Sequence, residues 1–224
     1  MTLVTALMSC TFLGLQHGID WDHVAAISDV TSVQPSSAEA TRCGLMYAAG
    51  HAATVGVLGI AVMALRHTLP AALSVWMQRI VGLTLVMLGA YVIGVLFSGG
   101  GPVSRGQVIL AIFNRFHVVH RNAEVDSAYG RRSSLGLGVL HGIGAETPTQ
   151  LSMLVIATNL GGLSNGVLAL VVFAAAMFAS NMALTAAATK AFAISKLCPS
   201  VFRWVGAATA CYSLFIGAVL MTSS

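Results

Sequence analysis

Long apolar runs separated by short polar breaks are the main pattern of this chain. A helix that crosses a bilayer needs about 20 mostly apolar residues, and the sequence supplies several runs of this kind. The pattern therefore predicts an all-α, polytopic membrane protein with six transmembrane helices. We place these helices over 3–31, 42–65, 77–97, 134–158, 163–189 and 202–221.

The polar breaks carry the basic residues, and these are divided unequally between the two sides of the membrane. With six spans, the connections 32–41, 98–133 and 190–201 share one side, which nine Arg and Lys residues flank, whereas two flank the other side. Positive residues favour the cytoplasmic side. We therefore expect a multi-pass protein of the inner (plasma) membrane, with both termini outside and 98–133 as a cytoplasmic polar loop.

Composition excludes a soluble domain and a nucleic-acid-binding protein. Hydrophobic residues make up 57% of the 224 and charged residues 8%, and the mean hydropathy is +0.85; soluble domains have about a quarter charged residues. The net charge of +4 comes from residues between apolar runs, where it suits lipid headgroups better than nucleic acid. The expected partners are the lipid bilayer and a transported ion. A homo-oligomer is compatible with the sequence.

A weak internal repeat relates the two halves of the chain. Residues 13–22 match the segment that lies 124 positions later, which places His17 over His141 and Asp22 over Glu146. The third and sixth predicted helices begin alike at the same offset, whereas the second and fifth match only after a further shift of seven residues. Small residues also match by chance in membrane proteins, but the shared histidine and acid favour a true repeat.

An odd number of spans in each repeat makes the two repeats run in opposite directions. We therefore predict two inverted three-helix repeats, 1–97 and 134–224, joined by the loop 98–133. Many secondary transporters have this plan, and their binding sites lie near the membrane midplane, where the repeats meet.

His17, Asp20, Asp22 and His23 lie within seven residues of the first predicted helix. Ionisable side chains in a membrane span are costly and usually line a site or a pathway. On a continuous helix, His17, Asp20 and His23 fall within an arc of about 120° and can converge on one cation, while Asp22 points elsewhere. A break at Gly18 would let Asp22 bind the cation or orient a histidine. The alternative is a hydrogen-bonded network that only holds helices together.

Three further residues are candidate metal ligands. His51 lies among small residues in the second predicted helix, where a lone histidine either binds a metal or bridges two helices by hydrogen bonds. His141 and Glu146 precede Pro148, which can break a helix and release backbone carbonyls to line a cavity. For Glu146 the alternative is a satisfied carboxyl group at a proline kink. The predicted metal-site residues are His17, Asp20, Asp22, His23, His51, His141 and Glu146.

The ligand types indicate which ion the site would hold. Imidazole nitrogen with carboxylate oxygen and no thiolate suits Ni²⁺, Co²⁺ or Zn²⁺ rather than Cu(I) or Ca²⁺. A membrane potential supplies about 2.3 kcal/mol per charge per 100 mV, hence about 4.6 kcal/mol for a dication. Because the sequence contains no phosphate-binding loop for ATP, we predict a passive or proton-linked permease that is not an enzyme and has no resident cofactor.

The spacing His17…Asp22-His23, a histidine followed after four residues by Asp-His, resembles the signature of the nickel/cobalt transporter (NiCoT) family. The similarity continues through the segment around His51 and, more faintly, into the fifth predicted helix. The chain looks closest to the short, six-span branch that includes membrane accessory proteins of urease. The resemblance implies transport of nickel before cobalt, with His17, Asp22 and His23 required for uptake and with Asp20 and His51 as additional candidates.

Two other function classes can use the same residues. A metal-dependent intramembrane hydrolase would take His17, His23 and an acid as ligands and Asp22 as its base, although the sequence has no HExxH helix. The other class is a metal-binding accessory protein, or an exporter of the same fold. Metal flux separates these classes from an importer, because it reports transport, direction and ion together.

Overall fold

The computed structural model describes residues 2–65, 71–97, 130–144 and 148–222. All regular structure in this part of the chain is helical, which confirms the predicted all-α class. The described segments form eight helices: α1 (Leu3–His17), α2 (Trp21–Ser32), α3 (Ser37–Leu65), α4 (Ala71–Phe97), α5 (Arg131–Gly144), α6 (Pro148–Asn159), α7 (Leu163–Ser195) and α8 (Pro199–Thr222).

Four of these helices are long and apolar enough to cross a membrane. Their apolar segments are Ser37–Ala64 in α3, Gln78–Leu96 in α4, Leu163–Ser195 in α7 and Ser200–Thr222 in α8. Each corresponds to one of the six predicted spans. Large apolar side chains such as Val57 remain exposed on them, as contact with lipid requires.

The first predicted span is interrupted, so the prediction of one continuous helix over 3–31 is wrong. The break follows Gly18, a poor helix former, and Asp20 there has φ −59° and ψ 156°, which are not helical angles. In the predicted span 134–158, the described residues form α5 up to Gly144 and α6 from Pro148, and the residues 145–147 lie outside the described part of the chain.

A pair of glycines forms the turn between α6 and α7. Gly161 has φ 68° and Gly162 has φ 107°, and this left-handed region is open to glycine at no steric cost. The predicted break at this position is confirmed. Its consequence is that α6 folds back against α7.

Close backbone contacts show that α1 runs parallel to α7. A Cβ atom on Gly14 would overlap the carbonyl oxygen of Phe173, and one on Gly18 would overlap the side chain of Ser180. Residue numbers rise along both helices from the first contact to the second, so the two helices point the same way. Small residues at a helix interface allow this approach.

The pair α5 and α3 repeats this arrangement. A Cβ atom on Gly138 would overlap the carbonyl oxygen of Tyr47, and one on Gly142 would meet Thr54, so α5 runs parallel to α3. In contrast, α3 runs antiparallel to α7, and α4 antiparallel to α8. It follows that α1 is opposite in direction to α5, and α3 to α7.

Candidate metal centre

The break between α1 and α2 brings two histidines to the same place in the protein. His17 is the last residue of α1 and His23 lies in the first turn of α2. The backbone N–H of Gly18 still bonds one turn back, and those of Ile19 and Asp20 bond to carbonyls three residues back. These amides are therefore satisfied, as burial in a bilayer requires.

Three buried imidazole rings meet beside this break. His51 of α3 places its Nε2 atom 3.3 Å from Nε2 of His17 and 3.1 Å from Nε2 of His23. All three side chains are fully buried, and one nitrogen of each lies within 4.8 Å of the others. We call His17, His23 and His51 the histidine cluster. The structure thus brings together three of the seven predicted ligands.

Two carboxylates determine which ring nitrogens carry protons. Asp20 Oδ2 lies 3.1 Å from Nδ1 of His17, and Asp22 Oδ1 lies 3.1 Å from Nδ1 of His23. An ionised carboxylate only accepts hydrogen bonds, so each Nδ1 donates, and the Nε2 atom of each neutral ring then carries a lone pair. Both lone pairs point at Nε2 of His51, which can donate to one of them at most.

The spacing of Nε2 of His51 from each of the other two Nε2 atoms fits a bound transition-metal ion. Metal–imidazole bonds are about 2.0–2.1 Å long, so two nitrogens on one ion lie about 2.9 Å apart at a right angle and about 3.3 Å apart at a tetrahedral angle. The observed separations are 3.1 Å and 3.3 Å. A dication between the rings would accept all three lone pairs, which hydrogen bonding cannot do.

Aromatic rings enclose the histidine cluster on two sides. The ring of Tyr47 lies 6.1 Å from that of His23 and 6.2 Å from that of His51. The ring of Phe173 stacks 5.5 Å from His17. These rings belong to two separate apolar clusters of the core, so the site lies between them. Low-dielectric walls of this kind strengthen the electrostatic interactions inside.

The second half of the chain also reaches the cluster, at a residue that the sequence did not indicate. The hydroxyl oxygen of Thr149 in α6 lies 3.1 Å from Nδ1 of His17, and its side chain is buried. No motif marks Thr149. Its only signal in the sequence is its place directly after Pro148, a residue type that can break a helix. The site therefore draws on both halves.

His141 is not part of the histidine cluster, but a hydrogen bond fixes its Nδ1 proton in a similar way. Its Nδ1 atom donates to the carbonyl oxygen of Leu137 at 3.0 Å, so the neutral ring keeps its lone pair on Nε2. That atom is buried and has no hydrogen-bond partner among the described residues. Its ring lies 5.6 Å from that of Tyr47. Glu146, the other predicted second-half ligand, lies outside the described residues.

These features define an all-helical protein that has four helices long and apolar enough to cross a membrane and a buried cluster of three histidines. Two curated proteins are similar to the chain. The hydrogenase nickel incorporation protein HupN of Bradyrhizobium diazoefficiens is 28% identical over 91% of the chain. A high-affinity nickel transport protein of Cupriavidus necator is 25% identical over 81% of it. The chain spans about half the length of these relatives, 56% of each.

Both relatives carry nickel in their names, which confirms the resemblance to nickel/cobalt permeases that the sequence motif indicated. Neither name describes an enzyme, in agreement with the prediction of a non-enzyme. No protein-family model matches the chain. No solved structure matches it either.

Proposed function

We propose that this protein is a secondary permease that carries a transition-metal dication, nickel before cobalt, through the membrane. The observation that carries the proposal is the convergence of three Nε2 atoms in the histidine cluster. The name of the second relative, a nickel transport protein, supports both transport and nickel. Asp20 and Asp22 serve this site by holding the Nδ1 protons, which orients the rings and makes them better ligands.

Charge balance suits the transfer of a dication at this position. Asp20 and Asp22 together carry two negative charges, so the loaded site would have no net charge inside the bilayer, where an unbalanced charge is expensive. The negative end of the α1 dipole at His17 is opposed by the positive end of the α2 dipole, which begins at Trp21, so the two carboxylates supply the charge that balances the ion. Only neutral imidazole binds the metal, so affinity should fall as the pH drops through about 6.5, the usual pKa of imidazole.

His141 and Glu146 complete the proposed site on the side of the second half. An ion that leaves the histidine cluster past Tyr47 would meet the buried lone pair of His141. Glu146 would provide the charge there that Asp22 provides in the first half, because the repeat aligns the two acids. Each half of the chain would then contribute histidine and an acid to the proposed site.

Two inverted three-helix repeats, 1–97 and 134–224, are the proposed architecture of the transporter. Glycines 124 positions apart support it, since Gly14 and Gly138 each bring their helix against a partner backbone. The opposite directions of α1 and α5, and of α3 and α7, support it as well. In such a plan the two halves rock about a central site and expose it alternately.

The proposed orientation keeps both termini outside and 98–133 in the cytoplasm. Arg131 at the start of α5 pairs with Glu39 at the start of α3 at 2.9 Å, and Lys196 after α7 donates to the carbonyl oxygen of Gln34 at 2.8 Å. These contacts bring together, on one face, the three connections that nine of the eleven Arg and Lys residues flank, which supports the charge count. A reporter after Ser224 should behave as external and one near 122 as cytoplasmic; the reverse pattern would overturn the orientation.

Flux of radioactive Ni²⁺ into liposomes that contain the purified protein in one orientation tests the proposal. We expect uptake that a negative interior potential accelerates and that Co²⁺, but not Mg²⁺, inhibits. The variant His51→Ala should lose uptake, while Thr209→Ala, whose hydroxyl bonds the carbonyl oxygen of Gly206 in its own helix, should keep it. Binding without flux in the unaltered protein would contradict transport and indicate an accessory protein.

A further inference from the structure

A second buried carboxylate lies on α2, away from the histidine cluster. Asp29 is fully buried, and neither of its oxygens has a hydrogen-bond partner among the described residues. No ion pair joins it to a basic side chain in the same part of the chain. Seven residues separate it from Asp22, so the two acids lie on one face of α2, about 10 Å apart along its axis.

The group that faces Asp29 is also left without a hydrogen bond. The hydroxyl of Ser213 in α8 lies beside the carboxylate, yet neither group makes a hydrogen bond of ordinary geometry within the described segments. Other hydroxyls nearby do not behave in this way, since Thr209 bonds the carbonyl of Gly206 at 3.0 Å and Thr31 that of Ile27 at 2.7 Å.

A row of similar polar atoms follows α7. Asn181, Thr185 and Thr189 are buried and four residues apart, and their side-chain polar atoms have no hydrogen-bond partner in the described parts of the chain. The row begins next to Ser180, which contacts Gly18 at the break, and it points toward Lys196, which reaches the end of α2. It therefore leads from the level of the histidine cluster to one membrane face.

We propose that Asp29, opposite Ser213, is a second cation station, which Ni²⁺ occupies between the histidine cluster and the membrane face at the ends of α2 and α7. The inference rests on the proposed function. A carboxylate without a partner is costly inside a membrane unless a cation or a proton joins it. The polar row lies on α7, a helix that packs against α2, and it supplies oxygen and amide groups.

The chemistry of this station makes it weaker than the histidine cluster. Oxygen ligands hold borderline dications less strongly than imidazole does. A transport pathway needs such a site, because an ion must bind firmly enough to enter and weakly enough to leave. Asp29 would thus transfer the ion between the histidine cluster and the cytoplasmic face, in either direction.

Ni²⁺ binding and flux measured on matched variants test this station. At high Ni²⁺ concentration, equilibrium dialysis of the detergent-purified protein should give two bound ions for the unaltered chain and one for Asp29→Asn, with the tighter affinity unchanged. Flux in liposomes should fall at least about tenfold in Asp29→Asn. Asp29→Glu, which keeps the charge, should retain the second ion, and Thr209→Ala should match the unaltered protein throughout. Thermal unfolding of each variant checks its fold.

The outcomes separate this inference from the proposed function. If the unaltered protein transports Ni²⁺ and Asp29→Asn equals it in stoichiometry and flux, the station is wrong and the permease stands. If Asp29→Asn changes only the pH dependence of flux, Asp29 carries a proton rather than the metal, and the station is again wrong. An unaltered protein that neither binds nor transports Ni²⁺ would overturn the proposed function itself.

Discussion

The interface of α1 with α7 and that of α5 with α3 share their packing but differ in their chemistry. Each uses two glycines four residues apart to meet the partner backbone. At the second contact, Gly18 lies against the carbonyl of Met177, whereas Gly142 lies against that of His51. A member of the histidine cluster thus lies on α3 where α7 has a thioether. The packing depends on small residues, so the side chains beside the glycines can differ between the two interfaces without loss of packing.

The same contacts change how the two halves are aligned. They pair Tyr47 with Phe173 and His51 with Met177, whereas the sequence match paired Tyr47 with Phe178. The sequence match followed small residues, which are frequent on every face of a membrane helix. The contacts follow the glycines that set the helix spacing, so they give the register that matters for packing.

Making the α5–α3 interface resemble the α1–α7 interface should have the largest effect. His51→Met removes one of three nitrogen ligands, so we expect the affinity for Ni²⁺ to fall at least about 100-fold. The matched change Met177→Leu should leave affinity within about twofold. Calorimetry on purified protein, with thermal stability in parallel, measures both. Equal losses in the two variants would mean that Met177 is also a ligand.

The carboxylates that hold the rings should have the next largest effect. Asp22→Asn keeps the shape but removes the charge that fixes Nδ1–H of His23, and loss of such a partner typically weakens metal binding about 10–100-fold. Asp20→Asn should act on His17 in the same way. Glu39→Gln, an acid remote from the cluster, provides the control. Unchanged Ni²⁺ affinity in Asp22→Asn would mean that Asp22 makes a structural hydrogen bond and has no role in metal binding.

Sequence reasoning reached the fold class, four of the spans and the three members of the histidine cluster. Hydropathy detects length and apolarity, but it does not detect a turn inside an apolar run, so it joined α1 to α2. The spacing of His17, Asp22 and His23 drew attention to the site, because charge in a span is rare. It could not show that both aspartates bond Nδ1 atoms, nor that Thr149 contacts His17 from 132 residues away, since neither follows from helix periodicity.

Glycine substitutions test the feature that the two interfaces share, which is the close packing of glycines against a partner backbone. Gly14→Ala and Gly138→Ala each place a methyl group against a carbonyl oxygen, and such overpacking costs about 1–3 kcal/mol. Gly136→Ala is the matched control on α5, because no atom of the described residues beyond its own helix backbone lies within 4 Å of the added Cβ; it should be neutral or gain up to about 1 kcal/mol. Denaturant unfolding in detergent measures all three. A similar loss of stability in Gly136→Ala would mean that the close contacts of Gly14 and Gly138 do not cause the loss.

The smallest effect is expected where the two interfaces end near the same membrane face. Arg131 and Glu39 join α5 to α3 by an ion pair at 2.9 Å, but Arg131 is 52% exposed, and exposed pairs contribute little. At the end of α2 and α7, Lys196 bonds a carbonyl instead. Glu39→Gln should shift the midpoint of thermal unfolding slightly at low salt and not at all at about 1 M salt, where charges are screened beyond about 3 Å. A larger loss that persists in salt would mean that this pair fixes the register of α5 on α3, and the α5–α3 interface would then depend on charge as well as on its glycines.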